Sequence, residues 1–394
     1  MACRRIMLFL LTLVLLFVRG EGLSTANRSN SLLYTIQQCT APHHVLDRIG
    51  KELVVSDDPT GDVSRIALVR LSRQLIAIDN RNMNVQEVWL NEVQEKWSHE
   101  HFASLVRVLL ESVAGDHVNT AIENIVDGIK AISIISRLLP TVHVADTVAN
   151  FLSQHESTLV SSLNKGQQKH LLSGLDWAVA GLQLSNAEIS LPECLSDLVK
   201  QANLSFGIYP GLLSQLKHLT ADNLVEEVDF QVETIRTASQ KVVQERRQTA
   251  WQGDHGIGPF LYSGKSMPRR EWSPTVRKVR DTLILQTGQR YDCCLLNLYP
   301  DGGSAMRFHI DPDQGRLWDF DTAVVSIGAT RRFAFRSIEN SDEPPHNFVV
   351  MHGDVTHMFA DCQEYYQHAV KKADQRAETT PRISLVYKRT WPGA

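Results

Sequence analysis

The stretch Arg307-Phe308-His309-Ile310-Asp311, with the strand-like segments on either side of it, decides the fold of the C-terminal half of the chain. In an extended strand alternate side chains share a face, so His309 and Asp311 can direct an imidazole and a carboxylate toward one point. Two histidines and one carboxylate on one side of an octahedron leave three positions open for a cosubstrate and O2, as in non-heme Fe(II) sites. The pair therefore predicts part of an iron site.

A second histidine must complete this set, and residue type alone leaves the choice open. The chain contains 15 histidines, so a His-x-Asp pattern by itself is weak evidence for a metal site. Three histidines downstream of the pair are candidates, namely His352, His357 and His368. The order of the surrounding segments strengthens the prediction more than the pair itself does.

Those segments have the pattern of short strands separated by turns. The run 293–299 precedes a Pro-Asp-Gly-Gly turn at 300–303, and the run 322–330 leads into 332–336, whose alternating polarity predicts the second limb of a hairpin. A last strand-like run begins at Arg382. Short strands with turn residues between them favour a double-sheet jelly roll, also called a double-stranded β-helix.

At this point about residues 240 to 390 resemble a known family, the AlkB-type Fe(II)/2-oxoglutarate dioxygenases. The matching positions occur in the order of that family, and since His352 falls in its His-Gly-Asp turn and His357 follows closely, the resemblance favours His368 as the second histidine ligand. The matches are Arg247-Gln248-Thr249-Ala250-Trp251-Gln252-Gly253-Asp254, Tyr262-Ser263-Gly264, Asn297-x-Tyr299, His309-x-Asp311-x-Asp313, Ser326-x-Gly328, His352-Gly353-Asp354, His368 and Arg382.

The resemblance implies a role for the matching positions. Fe(II) would be the metal, 2-oxoglutarate the cosubstrate and O2 the oxidant. Arg382 would pair with the distal carboxylate of 2-oxoglutarate, because a guanidinium presents a planar fork that fits a carboxylate. The catalytic metal ligands would be His309, Asp311 and His368, and the further contacts to 2-oxoglutarate would come from Asn297 and Tyr299.

One position departs from the family pattern. Repair enzymes of this family commonly end with Arg-x-Asn-x-Thr-x-Arg, whereas this chain has Arg382, Ser384, Val386 and then Lys388. A lysine keeps the positive charge but lacks the bidentate fork, so we expect the contact of Lys388 near the metal-binding end of the cosubstrate to be weaker or differently angled.

Three further residues are candidate substrate contacts. Asp313 stands two residues beyond the metal carboxylate, where members of the family contact the target base. Trp251 could stack on an extruded base, because aromatic faces are the usual platform for such bases, and packing in the core is the alternative. Tyr262 carries the same two interpretations.

The function implied is Fe(II)- and 2-oxoglutarate-dependent dealkylation of N-alkylated bases in DNA or RNA. The formal net charge of −4 argues against a uniformly basic wrapper of nucleic acid, but basic residues cluster within 241–280, 331–336 and 371–389 and could neutralise phosphates. A mixed, solvated surface is the alternative interpretation of these clusters. Two other functions stay open: hydroxylation or demethylation of a protein or small molecule, since this fold hosts many substrates, and a non-catalytic helical binding protein with an inert dioxygenase domain.

The N-terminal part predicts a targeting segment and a helical region. Residues 1–22 combine Arg4 and Arg5 with an apolar run too short for an ordinary membrane span, so we expect a leader to the secretory pathway or to a plastid or other organelle, or an uncleaved membrane anchor. Residues 23–59 are expected to be a poorly ordered linker. Apolar residues at three- and four-residue steps predict helices over 60–235, as a bundle or a short solenoid with an unassigned protein partner.

The dioxygenase domain is expected over 236–394. A long polar helix, from about 225 to 247, is predicted to connect it to the helical region. The chain as a whole is thus predicted to be an α+β protein, with an all-α region preceding the jelly roll.

Overall fold

The computed structural model describes residues 36, 45, 62–92, 95–111, 118–140, 144–164, 168–185, 188–236, 241–262, 265–373 and 380–391. The predicted leader at 1–22 and, apart from Ile36 and Val45, the predicted linker at 23–59 lie outside these residues. Among the described residues, no helix has both the length and the apolar character needed to cross a membrane.

The N-terminal helical region is confirmed as a set of helices that pack on one another. The helix Val118–Leu138 buries Ile125, Ile129 and Ile132, whose spacing of three to four residues places them on one face. The helices are α1 (Asp62–Asp79), α2 (Val85–Glu92), α3 (Glu95–Glu111), α4 (Val118–Leu138), α5 (Ala145–Gln154), α6 (Glu156–Leu163), α7 (Lys169–Gln183), α8 (Glu193–Gln201), α9 (Ala221–Glu227), α10 (Pro274–Thr287) and α11 (Cys362–Tyr365). Helix α4 packs between α1 and α7, which makes this region a bundle.

The strands form the predicted jelly roll of two antiparallel sheets. A seven-stranded sheet has the order β1-β11-β8-β13-β6-β3-β2, a four-stranded sheet has the order β10-β9-β12-β7, and β4 pairs with β5 in a separate hairpin. The strands are β1 (Phe206–Tyr209), β2 (Gln231–Arg236), β3 (Val242–Gly253), β4 (Phe260–Tyr262), β5 (Lys265–Met267), β6 (Cys293–Tyr299), β7 (Met306–His309), β8 (Trp318–Gly328), β9 (Arg331–Ser337), β10 (His346–Val350), β11 (Val355–Met358), β12 (Tyr366–Val370) and β13 (Arg382–Thr390).

The prediction of a long polar helix over 225–247 is wrong. Helix α9 ends at Glu227, and the following residues form β2 and β3. Strand β3 pairs with β2 on one side and β6 on the other, and these ladders override the helix propensity of the Gln, Glu and Arg residues that it contains. Strand β1 also lies within the span predicted to be helical, where it pairs with β11. The jelly roll therefore begins near residue 205.

The helical region is joined to the jelly roll by buried polar contacts. Asp354, in the turn after β10, receives a two-pronged contact from Arg137 of α4 at 3.1 and 2.5 Å, and both side chains are buried. The same carboxylate accepts hydrogen bonds from the backbone N–H groups of Gly211 and Met351. A buried charge is tolerated when it is paired and hydrogen-bonded, so this contact fixes α4 against the sheet.

Two further contacts hold the same interface. The side chain of Asn80, just after α1, accepts from the backbone N–H of Thr330 at 2.6 Å and donates to the Thr330 carbonyl at 3.2 Å. Ser173 Oγ of α7 lies 2.7 Å from His346 Nδ1 of β10. The helices thus form an integral layer of the fold, and α7 packs directly on β10 and β1.

Candidate active site

The metal-ligand cluster is built by the pairing of β7 with β12. Their antiparallel register places His309 directly opposite His368, and Asp311 follows His309 by two residues. One ligand atom from each of the three side chains lies within 4.8 Å of the others. Asp311 Oδ1 is 3.6 Å from His309 Nε2 and 3.8 Å from His368 Nε2. This set of two imidazoles and one carboxylate is suited to Fe(II).

The other two candidate histidines have different partners. His352 accepts a long hydrogen bond, 3.4 Å, from the backbone N–H of Gly328. His357 Nε2 lies 2.5 Å from Asp321 Oδ1. Of the three histidines that residue type left open, the structure brings His368 to the pair.

Neighbouring groups orient the ligands. The Nδ1 atom of His309 lies 2.9 Å from the Arg307 carbonyl, which leaves Nε2 toward the cluster. The backbone N–H of Asp311 donates to Gln363 Oε1 at 2.9 Å. The ring of His368 stacks parallel to that of Phe333, with 5.8 Å between centroids and 2° between planes. The ligand set is therefore held in place by the protein itself.

The site favours a charged carboxylate on Asp311 beside a neutral imidazole on His368. Burial alone would raise the pKa of Asp311, but the ammonium group of Lys388, followed by His309 and His368, holds that pKa well below its usual value. Burial lowers the pKa of His368 to about 3, against the opposing effect of Asp311. Metal binding requires deprotonated ligands, and these shifts favour that state for Asp311 and His368.

Lys388 contacts the metal carboxylate directly. Its Nζ donates to Asp311 Oδ2 at 2.7 Å and to Thr322 Oγ1 at 3.2 Å. Lys388, which was predicted to contact the cosubstrate, therefore lies beside the metal-ligand cluster and hydrogen-bonds to the second carboxylate oxygen of Asp311. Oδ1, the oxygen nearest the imidazoles, is left for the metal.

Arg382 is a fully buried cation at the position predicted to anchor the oxoacid. It begins β13 between Tyr299 of β6 and Gly328 of β8, is fully buried, and donates from Nη2 to Ser326 Oγ at 3.0 Å. Its Nε and Nη1 atoms have no hydrogen-bond partner among the described residues. Burial lowers the pKa of Arg382 to about 10, so the guanidinium stays charged at neutral pH. A buried charge with unused donors is costly unless an anion pairs with it, which fits the distal carboxylate of 2-oxoglutarate.

Asn297 and Tyr299 lie beside this anchor on β6. Asn297 donates from Nδ2 to Ser384 Oγ at 3.3 Å, while its buried Oδ1 has no partner within the described part of the chain. The Tyr299 ring centroid is 5.1 Å from Cζ of Arg382. Both side chains line the same cavity as the three metal ligands, so these two predicted cosubstrate contacts share one pocket with the metal cluster.

The walls of this cavity include aromatic and apolar side chains that sequence reasoning did not single out. Phe260 and Trp318 line it together with His309 and Asp311, and their rings lie 6.0 Å apart at 34°. Apolar groups complete the lining, namely Leu295, Met306, Val324, Phe333, Met358, Val370 and Val386. No local spacing marks Phe260 or Trp318, since they come from separate segments that meet only in the folded chain.

The candidate substrate contacts lie at different depths. Trp251 is 1% exposed, donates from its indole N–H to the Gly258 carbonyl at 3.0 Å, and packs behind Phe260 and Trp318. Its stacking role stays a prediction, while the packing interpretation matches its burial. The Tyr262 side chain lies outside the described residues, although its backbone belongs to β4.

Asp313 shapes the turn that follows the ligand pair. Its backbone has a positive φ of 68°, and its carbonyl accepts hydrogen bonds from the N–H groups of Arg316, Leu317 and Trp318. Its carboxylate pairs with the side chain of Arg316. The predicted contact of Asp313 with a base stays a prediction.

Comparisons with known proteins agree with this geometry. Residues 205–388 match the sequence profile of the 2OG-Fe(II) oxygenase superfamily. An uncharacterized protein of Acanthamoeba polyphaga mimivirus is 31% identical over 173 residues, which are 43% of this chain and 87% of that protein. The Bos taurus protein "DNA oxidative demethylase ALKBH2" is 26% identical over 184 residues, 44% of this chain and 65% of the relative. The Homo sapiens "Alpha-ketoglutarate-dependent dioxygenase alkB homolog 3" is 31% identical over 159 residues, 38% of this chain and 53% of the relative.

Proposed function

Since the chain belongs to the AlkB-type 2-oxoglutarate- and Fe(II)-dependent oxygenases, we propose that it removes N-linked alkyl groups from the bases of DNA or RNA by oxidation. It is a 2-oxoglutarate-dependent dioxygenase that uses Fe(II), 2-oxoglutarate and O2. The observation that carries the proposal is the aromatic pair Phe260 and Trp318, which lines the metal pocket beside Asp311.

The residues of the pocket have separate tasks in this reaction. His309, Asp311 and His368 would hold Fe(II), and Arg382, assisted by Asn297 and Tyr299, would hold 2-oxoglutarate. Fe(II), when bound, supplies the oxidation in which O2 places one oxygen atom in succinate and the other on the alkyl carbon, as 2-oxoglutarate loses CO2. An N-hydroxymethyl product then breaks its N–C bond, releases formaldehyde and leaves the base with its N–H.

The aromatic and apolar lining would orient the base and exclude water. A base inside a duplex cannot reach a buried centre, so it must be extruded or come from a single strand, and a flat aromatic face is the surface on which it stacks. Both rings line the cavity; Phe260 is 5% exposed and Trp318 is half-buried. An apolar lining also keeps bulk water away from the reacting carbon.

The proposal is tested by supplying candidate substrates directly. Purified protein with Fe(II) and 2-oxoglutarate is incubated with single-stranded DNA and RNA oligonucleotides that each carry one N-methylated adenine or cytosine. We expect formaldehyde and an oligonucleotide with the mass of the unmodified strand, and neither with the His309→Ala variant. Turnover of 2-oxoglutarate without loss of the methyl group from any oligonucleotide would place the substrate in another chemical class.

A further inference from the structure

A second concave site lies where the helical region overhangs the outer face of the four-stranded sheet. It is a cleft of about 840 Å³ between α1 and α4 on one side and β9, β10 and the segment after β12 on the other. This volume falls within the range of sites that bind small molecules and cofactors, about 300 to 1,000 Å³. The site is separate from the metal pocket, whose lining residues are all different.

Basic side chains line both walls of this cleft. The helical wall contributes Arg70, Arg73, Arg81 and Lys130. The wall from the jelly roll contributes Arg331, Arg332 and Lys372. We call the set of these seven residues the basic cleft.

Basic side chains outnumber acidic ones among the described residues that line the basic cleft. Among the described residues that line it, Asp127 is the single acid, and its carboxylate lies 3.2 Å from Lys130 Nζ. The chain as a whole has 40 basic and 44 acidic residues, so this concentration runs against the overall charge. A concave surface lined by one sign of charge concentrates ligands of the opposite sign.

The basic surface continues from the cleft toward the strand that carries His309. The backbone N–H of Lys371 donates to the Arg332 carbonyl, which places Lys371 next to the cleft. Its Nζ lies 3.8 Å from the ring centroid of Phe308, and Cζ of Arg336 lies 4.3 Å from the same centroid. Phe308 and His309 are neighbours in β7, so their side chains lie on opposite faces of the sheet.

We propose that the basic cleft binds the phosphodiester backbone of the nucleic-acid substrate. The path from Arg332 through Lys371 to Phe308 favours an extended polyanion over a compact one, because it leads out of the cleft along the sheet. This inference rests on the proposed function in one respect, namely that the substrate is a nucleic acid. A free nucleotide offers the same phosphate chemistry, and the experiment separates the two sources.

The test measures binding of an unmodified, fluorescently labelled single-stranded oligonucleotide to the full chain by anisotropy at several salt concentrations. One variant combines Arg73→Gln with Arg81→Gln in the helical wall, and a second combines Arg332→Gln with Lys372→Gln in the opposite wall. All four side chains are exposed, so the substitutions leave the core intact. We expect each variant to bind at least tenfold more weakly near 0.1 M salt.

The salt dependence gives a second readout. For a single strand the slope of log affinity against log salt is about −0.7 per phosphate contact, so removing two contacts should make it less steep by about 1.4. The matched control combines Lys200→Gln with Lys217→Gln, two exposed residues that do not line the cleft, and should keep wild-type affinity and slope. Thermal melting of each variant verifies that the fold is unchanged.

Two results would overturn the inference. One is wild-type affinity for the oligonucleotide in both cleft variants. The other is a cleft-dependent affinity for ATP that exceeds the affinity for the oligonucleotide, which would assign the site to a free nucleotide. Because the oligonucleotide carries no alkyl group and no turnover is measured, failure here is distinguishable from failure of the dealkylation assay.

Discussion

The ammonium group of Lys388 lies 2.7 Å from Oδ2 of Asp311, so a lysine on the last strand holds the carboxylate that the metal requires. We predict that Lys388→Met lowers Fe(II) affinity and turnover by about 10- to 100-fold, the usual effect of removing a partner of a metal ligand. Titration with Mn(II) as a stable probe, together with the rate of 2-oxoglutarate consumption, measures both effects. Lys388→Arg keeps the charge and should recover part of the loss; equal metal affinity in the methionine variant and the wild type would contradict this role.

Arg382 should govern affinity for the oxoacid. Its unused donors predict that Arg382→Met raises the KM for 2-oxoglutarate by about 100-fold, since losing one partner of a buried charged pair costs about 2–5 kcal/mol. Arg382→Lys should lie between the two because it offers a point charge without a fork. The melting temperature without ligand should hold or rise in the methionine variant, because a buried charge is removed. An unchanged KM would rule out this anchor.

Removing one imidazole should abolish the metal site. His309→Ala takes away one of three ligands that converge within 4.8 Å, so we expect no measurable Mn(II) binding and no 2-oxoglutarate turnover. Calorimetric titration of the purified variant provides the measurement. His357→Gln, a histidine paired with Asp321 outside the cluster, is the control and should bind metal like the wild type. Metal bound by His309→Ala at wild-type affinity would disprove the assignment.

The buried pair between helix and turn should dominate the stability of the interface. Arg137→Met leaves the buried carboxylate of Asp354 without its cation, and we expect the free energy of unfolding to fall by about 3–5 kcal/mol. Urea denaturation followed by circular dichroism measures the change. The control is Arg107→Met, whose exposed 3.9 Å pair with Glu111 should contribute less than about 1 kcal/mol. Similar values for the two variants would show that the buried pair is not a principal tie.

Acidic pH should lower the free energy of unfolding through His346 of β10, which contacts Ser173 of α7. Burial, followed by the charges of His170, Lys169 and Lys130, lowers the pKa of His346 to about 3, against an ordinary value of 6.5. Between these pH values the unfolded chain takes up a proton that the folded chain does not. The contribution of neutral His346 to the free energy of unfolding is therefore complete above pH 6.5 and declines as pH falls toward 3. His346→Gln should flatten the decline by up to about 1.4 kcal/mol per pH unit. Denaturation between pH 7 and pH 4 measures this change, with the exposed His255→Gln as the matched substitution.

Local periodicity was sufficient to predict the jelly roll and part of the metal site. His309 and Asp311 alternate along one strand, and that spacing alone places them on a shared face. His368 was harder, because its position opposite His309 depends on a strand pairing across 59 residues that no local pattern specifies. The order of motifs in the family resemblance supplied what spacing could not.

Non-local contacts account for what the sequence did not predict. Phe260 and Trp318 meet at the pocket only because β4 and β8 are brought together by folding. Strands β2 and β3 contain Gln, Glu and Arg, which are favourable in helices, yet β3 pairs with both β2 and β6 in the sheet. The partner of Asp354 lies 217 positions away in the sequence, beyond the reach of any pattern.

The similarity shared with other oxygenases starts at residue 205, yet buried contacts join residues before and after that position. A fragment trimmed to the shared residues would present the carboxylate of Asp354, the backbone amide of Thr330 and the ring of His346 to solvent or to one another without Arg137, Asn80 and Ser173. The boundary of the shared sequence therefore differs from the boundary of the buried contacts, because the helical layer supplies partners for buried groups of the jelly roll.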